Sequence, residues 1–570
     1  MRKIWKLKST SPYASQLAHE IDIPQLKAQL LINRGILDGP SASSFLSPRL
    51  SNLTDPMLLI DMDSGLELIL CAIEAGDMIT IFGDYDADGL TATALLLNLF
   101  SDLGIPASSY IPNRLSEGYG VNREAISKIA KSGTRLLITV DCGTGNPKEI
   151  DLAIDLGMNV VVTDHHQVNK DFEPRCPVIN PHRQDSSFPF KDLAGVGIAF
   201  FLAIAIRAAL REQGWFKTRS EPDLKHYLDL VALGTVADVV PLFGLNRILV
   251  SAGIDRMRTS QWPGIRSIQK IAGIDANEIT SDDLAFRIAP RLNAPGRLGK
   301  AEMGLHALTT DQPRIAMDIA RQLDNLNSRR RAIEQRILNQ IEKTILSSEA
   351  QINNRIFVIA ESGWHKGVLG IVASRLSGKY HRPALILTIR DGMAFGSGRS
   401  IDGFNLHRAL TRLGHLLDEF GGHHYAAGFR LKSSNLNALA MEMDNLARDE
   451  LSEKDLIPTV EIDAEMPLSA LTMKTLDHIK SLSPFGSGNP EPIFSSHSLD
   501  VLDSRVVGKK HLKLKVKQGR SVMEAIGFGL SDRHSLEGKT INAAFTPELN
   551  RWQGHKRLQL KIVDLEVKPY

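Results

Sequence analysis

Three apolar runs, MITIF (78–82), LLITV (136–140) and NVVVT (159–163), each lead into a polar loop and then into a segment with apolar residues at helical spacing. This alternation extends from residue 66 to about 255 and predicts βαβ units around a parallel sheet. Further on, Ile315, Ile319, Leu323, Leu326, Ile333, Ile337, Ile341 and Ile345 recur mostly at steps of three or four. Residues 313–347 therefore read as one long helix, with Pro313 suited to its first turn and a polar interruption, NSRRR, at 327–331. At 1.5 Å per residue such a helix is about 50 Å long. It reads as an interdomain strut in preference to a coiled-coil or core helix. A smaller α/β pattern (RIFVIAES, ALILTIR, FRLK) fills 355–450. From about residue 458 short alternating strands with turn signals predict a β domain: PTVEIDAEM, LDVLDSRVV, HLKLKVK, TINAAFT and RLQLKIVDLEV.

Composition narrows this little. The 570 residues are 43% hydrophobic and 23% charged, as in soluble globular proteins, and the length suggests roughly three or four domains. A net charge of +2 points to no partner, so any nucleic-acid surface must come from local clusters. Cys71, Cys142 and Cys176 form no CxxC pair, which argues against a disulfide framework or a zinc knuckle. MRKIWKLKST is basic but no apolar leader core follows it. The most apolar run, GVGIAFFLAIAI (195–206), ends at Arg207 and is too short to span a bilayer. No membrane association and a reducing cytoplasmic location are the expectation.

The chemistry lies where the apolar runs end. Asp84, Asp86 and Asp88 follow MITIF, Asp141 follows LLITV, and Asp164, His165 and His166 follow NVVVT. Asp238 sits in GTVADVVPL, after the apolar stretch YLDLVALG. Ligands of open α/β sheets bind at the carboxyl ends of the strands, so the first three clusters should converge there. Like charges this close repel unless a cation is present. Carboxylates with an imidazole and no thiolate suit Mn²⁺ or Mg²⁺, and there are enough of them for two ions. Two ions about 3.5–4 Å apart form a clamp for in-line phosphoryl displacement by water. DADG alone fits a turn or a helix N-cap, and DHH alone a capped loop with satisfied histidines. Their joint placement at strand ends favours one shared metal site.

GDYDADG, VDCG, TDHH and GTVADVVPL, in this order, resemble the four motifs of the DHH phosphoesterase superfamily. PRLNAPGRLG (290–299), GWHKGVLGIVASRL (363–376), GSGRS (396–400) and FGGHHYAAG (420–428) resemble its RecJ branch with a DHHA1 domain. SPFGSGNPEPIF (483–494) resembles the entry to that branch's OB domain. Phe82 stands where small DHH enzymes carry a histidine, a departure that the RecJ branch shares. The resemblance implies an N-terminal extension (1–50), a DHH catalytic domain (51–312), a connecting helix (313–349), a DHHA1 domain (350–452) and an OB-like domain (453–570). It further implies that Asp86 and Asp141 hold one ion while Asp88, Asp141, His165 and Asp238 hold the other. Asp84 would act through water, and His166 would lie near the scissile phosphate. Arg114, Arg297, Ser397, Arg399 and His423 are the implied phosphate-binding residues, with GSGRS read as a glycine-rich loop.

The implied activity is a single-strand-specific DNA exonuclease working 5′ to 3′ and releasing 5′-mononucleotides, in repair and recombination. The implied partners are single-stranded-DNA-binding protein and a RecQ-type helicase, and the chain is expected to be a monomer. Two other readings compete. A small-nucleotide or nano-RNA hydrolase would need no C-terminal β domain, and an inactive scaffold would have lost ligands that this chain retains. In HLKLKVK, lysines alternate with Leu512, Leu514 and Val516. Lys509, Lys513 and Lys515 are thus candidates for a basic stripe along a single strand, against the alternative of a lysine-protected edge strand.

Overall fold

The computed structural model describes residues 3–118, 120–168, 173–346, 353–552 and 555–568. It divides into two compact units, Leu50–Leu456 and a second one made of Met1–Arg49 together with Ile457–Tyr570. The first strand, β1 (Ile4–Leu7), belongs to the second unit.

The larger unit begins with β2 (Ile79–Gly83), β3 (Ala107–Tyr110), β4 (Leu136–Val140), β5 (Asn159–Thr163) and β6 (Val178–Ile179). They form a sheet in the order β3-β2-β4-β5-β6 with every pairing parallel. β2 and β4 are buried along their whole length, which is why they read as continuous apolar runs. The outer strands, ASSY and the two-residue β6, carry no such signal. The chain leaves β2 for β3 on one side and returns to β4 on the other. The carboxyl ends of β2 and β4 therefore flank a switch point, where a crevice opens. The apolar run 195–206 lies within the helix Gly195–Glu212 and is largely buried in this core. Among the described residues no helix is long and apolar enough to cross a membrane.

The helix Pro313–Leu346 serves two cores. Ile319, Ala320 and Leu323 join the core of the parallel sheet, while Ile337, Leu338, Ile341 and Ile345 join that of the next sheet. Between them, in and just beyond the polar NSRRR, buried Arg330 donates to Glu334 (2.9 Å) and Asn327 (2.7 Å). Positions 347–349, expected to continue this helix, lie outside the described residues.

The next sheet comprises β7 (Phe357–Ser362), β8 (Ala384–Arg390), β9 (Met393–Arg399), β10 (Glu419–Gly422) and β11 (Ala426–Lys432), in the order β10-β11-β9-β8-β7. Only β7 and β8 run parallel. This corrects the reading of GSGRS as a loop: Gly396 to Arg399 end β9, hydrogen-bonded between β8 and β11. The glycine serves packing, since a Cβ at Gly396 would come within 2.3 Å of the Phe429 ring.

In the second unit β1 pairs in parallel with β12 (Thr459–Ile462), and Trp5 Nε1 donates to Asp564 at 2.8 Å. There follow β13 (Ala464–Glu465), β14 (Phe494–Val507), β15 (His511–Gln518), β16 (Ser521–Gly527), β17 (Thr540–Trp552) and β18 (His555–Val567). The ladder β14-β15-β16-β18-β17 closes through a β14–β17 pairing into a five-stranded barrel of OB type. Leu512, Leu514 and Val516 face its interior. β15 pairs on both sides, so its lysines do not protect an edge. β16, SVMEAIG, is the barrel strand that the sequence pattern missed.

Candidate active site

Each acidic cluster is placed by a strand end or a helix end. After β2, Asp86 caps the helix Ala87–Asp102 by accepting from Asp88 N (3.0 Å) and Gly89 N (3.1 Å). The loop folds back tightly here: a Cβ on Gly89 would come within 2.6 Å of the Asp84 carbonyl. Asp88 lies in the first helical turn, and its carboxylate accepts from Gly195 N (2.7 Å) and Val196 N (2.9 Å). Those amides open the helix Gly195–Glu212, whose terminal field favours the charge. Asp141 follows β4 with a left-handed backbone, φ 60°, which aspartate tolerates better than most side chains. Asp238 is the exception to the strand-end rule. YLDLVALGTVA is mostly the helix Leu228–Ala237, and Asp238 is its C-cap.

These elements bring the carboxylates around His165. Its Nε2 lies 3.1 Å from Asp141, 3.5 Å from Asp238 and 3.9 Å from Asp88. Three sets of ligand atoms lie within 4.8 Å of one another: Asp88, His165 and Asp238; Asp84, Asp86 and Asp141; and Asp141, His165 and His166. Asp141 belongs to two of them.

The electrostatics show what the cluster lacks. Burial, followed by the charges of neighbouring carboxylates, holds Asp84 and Asp141 far above the usual carboxylate range. The same causes push Asp88 up to about 7 and Asp238 to about 9. Burial lowers His165 to about 4, so its imidazole is neutral. Asp84 Oδ1, Asp141 Oδ1 and His165 Nε2 are buried with no hydrogen-bond partner among the described residues. Unsatisfied buried oxygens and a neutral imidazole nitrogen, crowded into one volume, are the donor set of a divalent cation site. Mn²⁺ or Mg²⁺ fits these residues.

His166 behaves oppositely. Burial disfavours its charge, but its 2.7 Å bond to Asp164 and that residue's charge raise it to about 9. Asp164, despite its own burial, falls to about 2 through the same pair. Asp164 also accepts from Thr144 N (3.0 Å) and from the His165 and His166 amides (2.8 and 3.1 Å). The sequence pattern gave Asp164 no role of its own. It also missed Asn293, whose Oδ1 accepts from Ala87 N at 2.6 Å, and Asn180, whose amide reaches His166 O at 2.9 Å. An asparagine among mostly apolar neighbours, as in VIN and LNAP, was the available signal.

Facing the acids is a group of arginines. Burial, then the charges of Arg114 and Arg330, lowers Arg297 to about 10, with Asp86 opposing. Arg399 is lowered by burial and then by Arg114. Arg114 lies 5.1 Å over the Tyr85 ring. Arg114, Arg297 and Arg399 therefore share one field, a cationic counterpart to Asp86 in which an anion would relieve mutual repulsion. Ser397 is two residues from Arg399 on β9, 3.5 Å from its guanidinium. His423 is exposed in the β10–β11 turn, where Ala426 pairs with Arg399.

In the barrel the three candidate lysines divide. Lys509 is exposed in the β14–β15 turn with φ 65°, and Lys515 is exposed on β15. Lys513 is not available in the same way: it is paired with Glu524 (2.6 Å) and Gln559 (2.7 Å).

The fold is that of the DHH class, and comparison with known families bears this out. The model of the DHH family N-terminal domain matches residues 78–235, that of the DHHA1 domain 353–449, and that of the RecJ OB domain 462–564. The chain is 36% identical to the single-stranded-DNA-specific exonuclease RecJ of Dickeya dadantii, over 95% of this chain and 96% of that protein. The crystal structure of Thermus thermophilus RecJ with Mn²⁺ superposes with a TM-score of 0.84 at 30% identity, covering 100% of this chain and 80% of that one. The same protein with Mg²⁺ gives 0.78 at 28% identity, covering 100% and 79%. The chain belongs to the RecJ family.

Proposed function

We propose that the protein is a 5′-to-3′ exonuclease specific for single-stranded DNA, releasing 5′-mononucleotides by phosphodiester hydrolysis. The observation that carries this is the pairing of a buried carboxylate–histidine cluster, in which Asp84 Oδ1, Asp141 Oδ1 and His165 Nε2 have no hydrogen-bond partner among the described residues, with an adjoining arginine group. The named function of the relatives and the OB-type barrel support the polymeric substrate over a small nucleotide or nano-RNA.

Asp86 and Asp141 would hold one divalent ion, and Asp88, Asp141, His165 and Asp238 the other, with Asp84 close to the first set. Such ions supply Lewis-acid polarisation of the scissile phosphate and of the attacking water. His166, kept protonated by Asp164, presents a hydrogen-bond donor to charge developing on the phosphate. Arg114, Arg297 and Arg399, with Ser397, would grip the terminal 5′-phosphate, where a planar guanidinium bonds two oxygens at once. His423, in the turn that leads to Ala426 beside Arg399, would extend this grip. A single-stranded-DNA-binding protein and a RecQ-type helicase are the proposed partners of a monomeric enzyme working in the cytoplasm on DNA repair and recombination.

The test uses a long single strand labelled at either end, with Mn²⁺ or Mg²⁺. The 5′-labelled strand should release labelled mononucleotide from the start, while the 3′-labelled strand shortens as a ladder. The reverse assignment overturns the polarity, and no degradation overturns the activity. Arg399→Ala should also lose the preference for a 5′-phosphate over a 5′-hydroxyl strand, and an unchanged preference ratio would remove Arg399 as the end reader.

A further inference from the structure

The loop that carries the acids also carries a ring. Tyr85 stands between Asp84 and Asp86, is buried, and belongs to the core of the parallel sheet. It packs closely against Gly296, where a Cβ would come within 2.9 Å of the Tyr85 carbonyl and 3.7 Å of its ring. Gly296 precedes Arg297 in the helix Ala289–Arg297, and Asn293 of that helix is fastened to the same loop through Ala87 N (2.6 Å). On the ring's face lies Arg114, its guanidinium carbon 5.1 Å from the centroid. The phenol registers both neighbourhoods: burial and then the charge of Asp84 raise it, while Arg114 opposes them. Tyr85 therefore stands where the acid cluster and the arginine group meet.

The three arginines are held differently. Arg399 donates to Gly398 O at 2.7 Å, and Arg297 approaches Gly367 O at 3.5 Å. Among the described residues Arg114 makes no hydrogen bond or ion pair, and the Tyr85 ring is what meets its guanidinium. Arg114 also repels the other two, since its charge helps to lower both of them. A long, half-buried side chain with like charges before it turns away unless something holds it. A ring face supplies that hold, because its quadrupole attracts a guanidinium.

We propose that Tyr85 is a positioning residue: its ring keeps Arg114 in the arginine group, so the loop that bears the acids also sets where a strand's 5′-phosphate is gripped. The inference rests on the functional reading above and deepens its account of end recognition. The role belongs to the ring face and makes no use of the hydroxyl.

The ring and the hydroxyl can be separated experimentally. Short thymidine strands with a 5′-phosphate or a 5′-hydroxyl are titrated without divalent metal against full-length wild type, Y85F, Y85L, R114A and Y85L/R114A. Wild type should favour the 5′-phosphate, and Y85F should keep that preference. Y85L should lose roughly 2- to 30-fold on the 5′-phosphate strand and little on the other, and should add nothing once R114A is present. Calorimetry should give Y85L the same Mn²⁺ stoichiometry as wild type. Fluorinated phenylalanines at position 85 weaken the ring face at nearly constant shape, so the preference should fall with fluorine number even if Y85L does not fold. Equal loss on both strands, a further loss in the double variant, a lowered Mn²⁺ stoichiometry or a flat fluorine series overturns the role. The two readings fail separately. A wild type that prefers the 5′-phosphate strand but cuts none sinks the nuclease reading alone, and one that cuts while Y85L keeps the preference sinks the positioning role alone.

Discussion

The carboxylate cluster of the parallel sheet and Asp229, a few residues upstream of Asp238, are both buried negative charge in one unit, and they are handled in opposite ways. Asp229 is fully buried and accepts from Ser260 Oγ (2.6 Å), Trp262 Nε1 (2.8 Å) and Leu230 N (2.9 Å). Its pKa rises to about 6, chiefly from burial, but its oxygens are satisfied by the protein itself. In the cluster, one oxygen each of Asp84 and Asp141 (Oδ1 in both) is buried without a hydrogen-bond partner among the described residues. A buried carboxylate with its donors supplied is architecture. Buried carboxylate oxygens left without donors beside an unpartnered imidazole nitrogen reserve a place for something not encoded in the chain.

The sharpest way to break this contrast is Asp141→Ala. It removes a member of two ligand sets, and degradation of single strands should fall below detection at any Mn²⁺ concentration. Calorimetry should show the bound-metal stoichiometry reduced as well. Near wild-type cleavage would mean that the cluster does not work as one site. Asp164→Asn comes next. It weakens the hold on His166 without removing a ligand, and the rate should drop about 10- to 100-fold with metal stoichiometry intact.

Asp229→Asn probes the other side. Because the folded-state pKa is raised, the group contributes stability below its unfolded value of 3.8, and this is lost as pH rises through about 6. At pH 7 the ionised carboxylate costs on the order of 3 kcal/mol relative to the protonated one. The variant should flatten the pH dependence of unfolding between about 4 and 6 while sparing cleavage. An unchanged slope in denaturant melts would show that another group controls it.

The smallest effects separate two neighbours on β15. Lys515→Ala should lower the salt slope of single-strand binding by about 0.7, the share of one phosphate. Lys513→Ala should leave that slope alone and instead lower stability by about 0.2–1 kcal/mol through its lost ion pair. If both variants change the slope equally, Lys513 exchanges Glu524 for DNA.

How much of this the chain revealed depended on periodicity. The buried central strands β2, β4 and β5 are continuous apolar runs, so their polar ends, and with them Asp84, Asp86, Asp141 and His165, could be placed in advance. Asp238 is legible from its motif and not from its element, because a buried helix and a buried strand look alike over a short, mostly apolar stretch. GSGRS reads as a loop because glycine marks turns, whereas in the fold the small size of Gly396 clears space under Phe429. The pairing of Lys513 with Glu524 was not legible, since it joins adjacent strands whose register only the closed barrel sets. Nor could the attachment of the N-terminal residues to the barrel be read, because four residues of β1 carry no mark of their partner.

That last pairing joins segments far apart along the chain: Ile4 lies opposite Thr459, 455 positions away (459 − 4). A contact that closes so long a loop costs chain entropy before it returns any stabilisation, so it is a poor starting point for folding. The Leu50–Leu456 unit is encoded entirely between the two strands and needs neither of them for its own core. The smaller unit is therefore discontinuous in sequence while the larger one is continuous, and β1 joins β12 as a late step of folding, after local contacts have formed on either side of it.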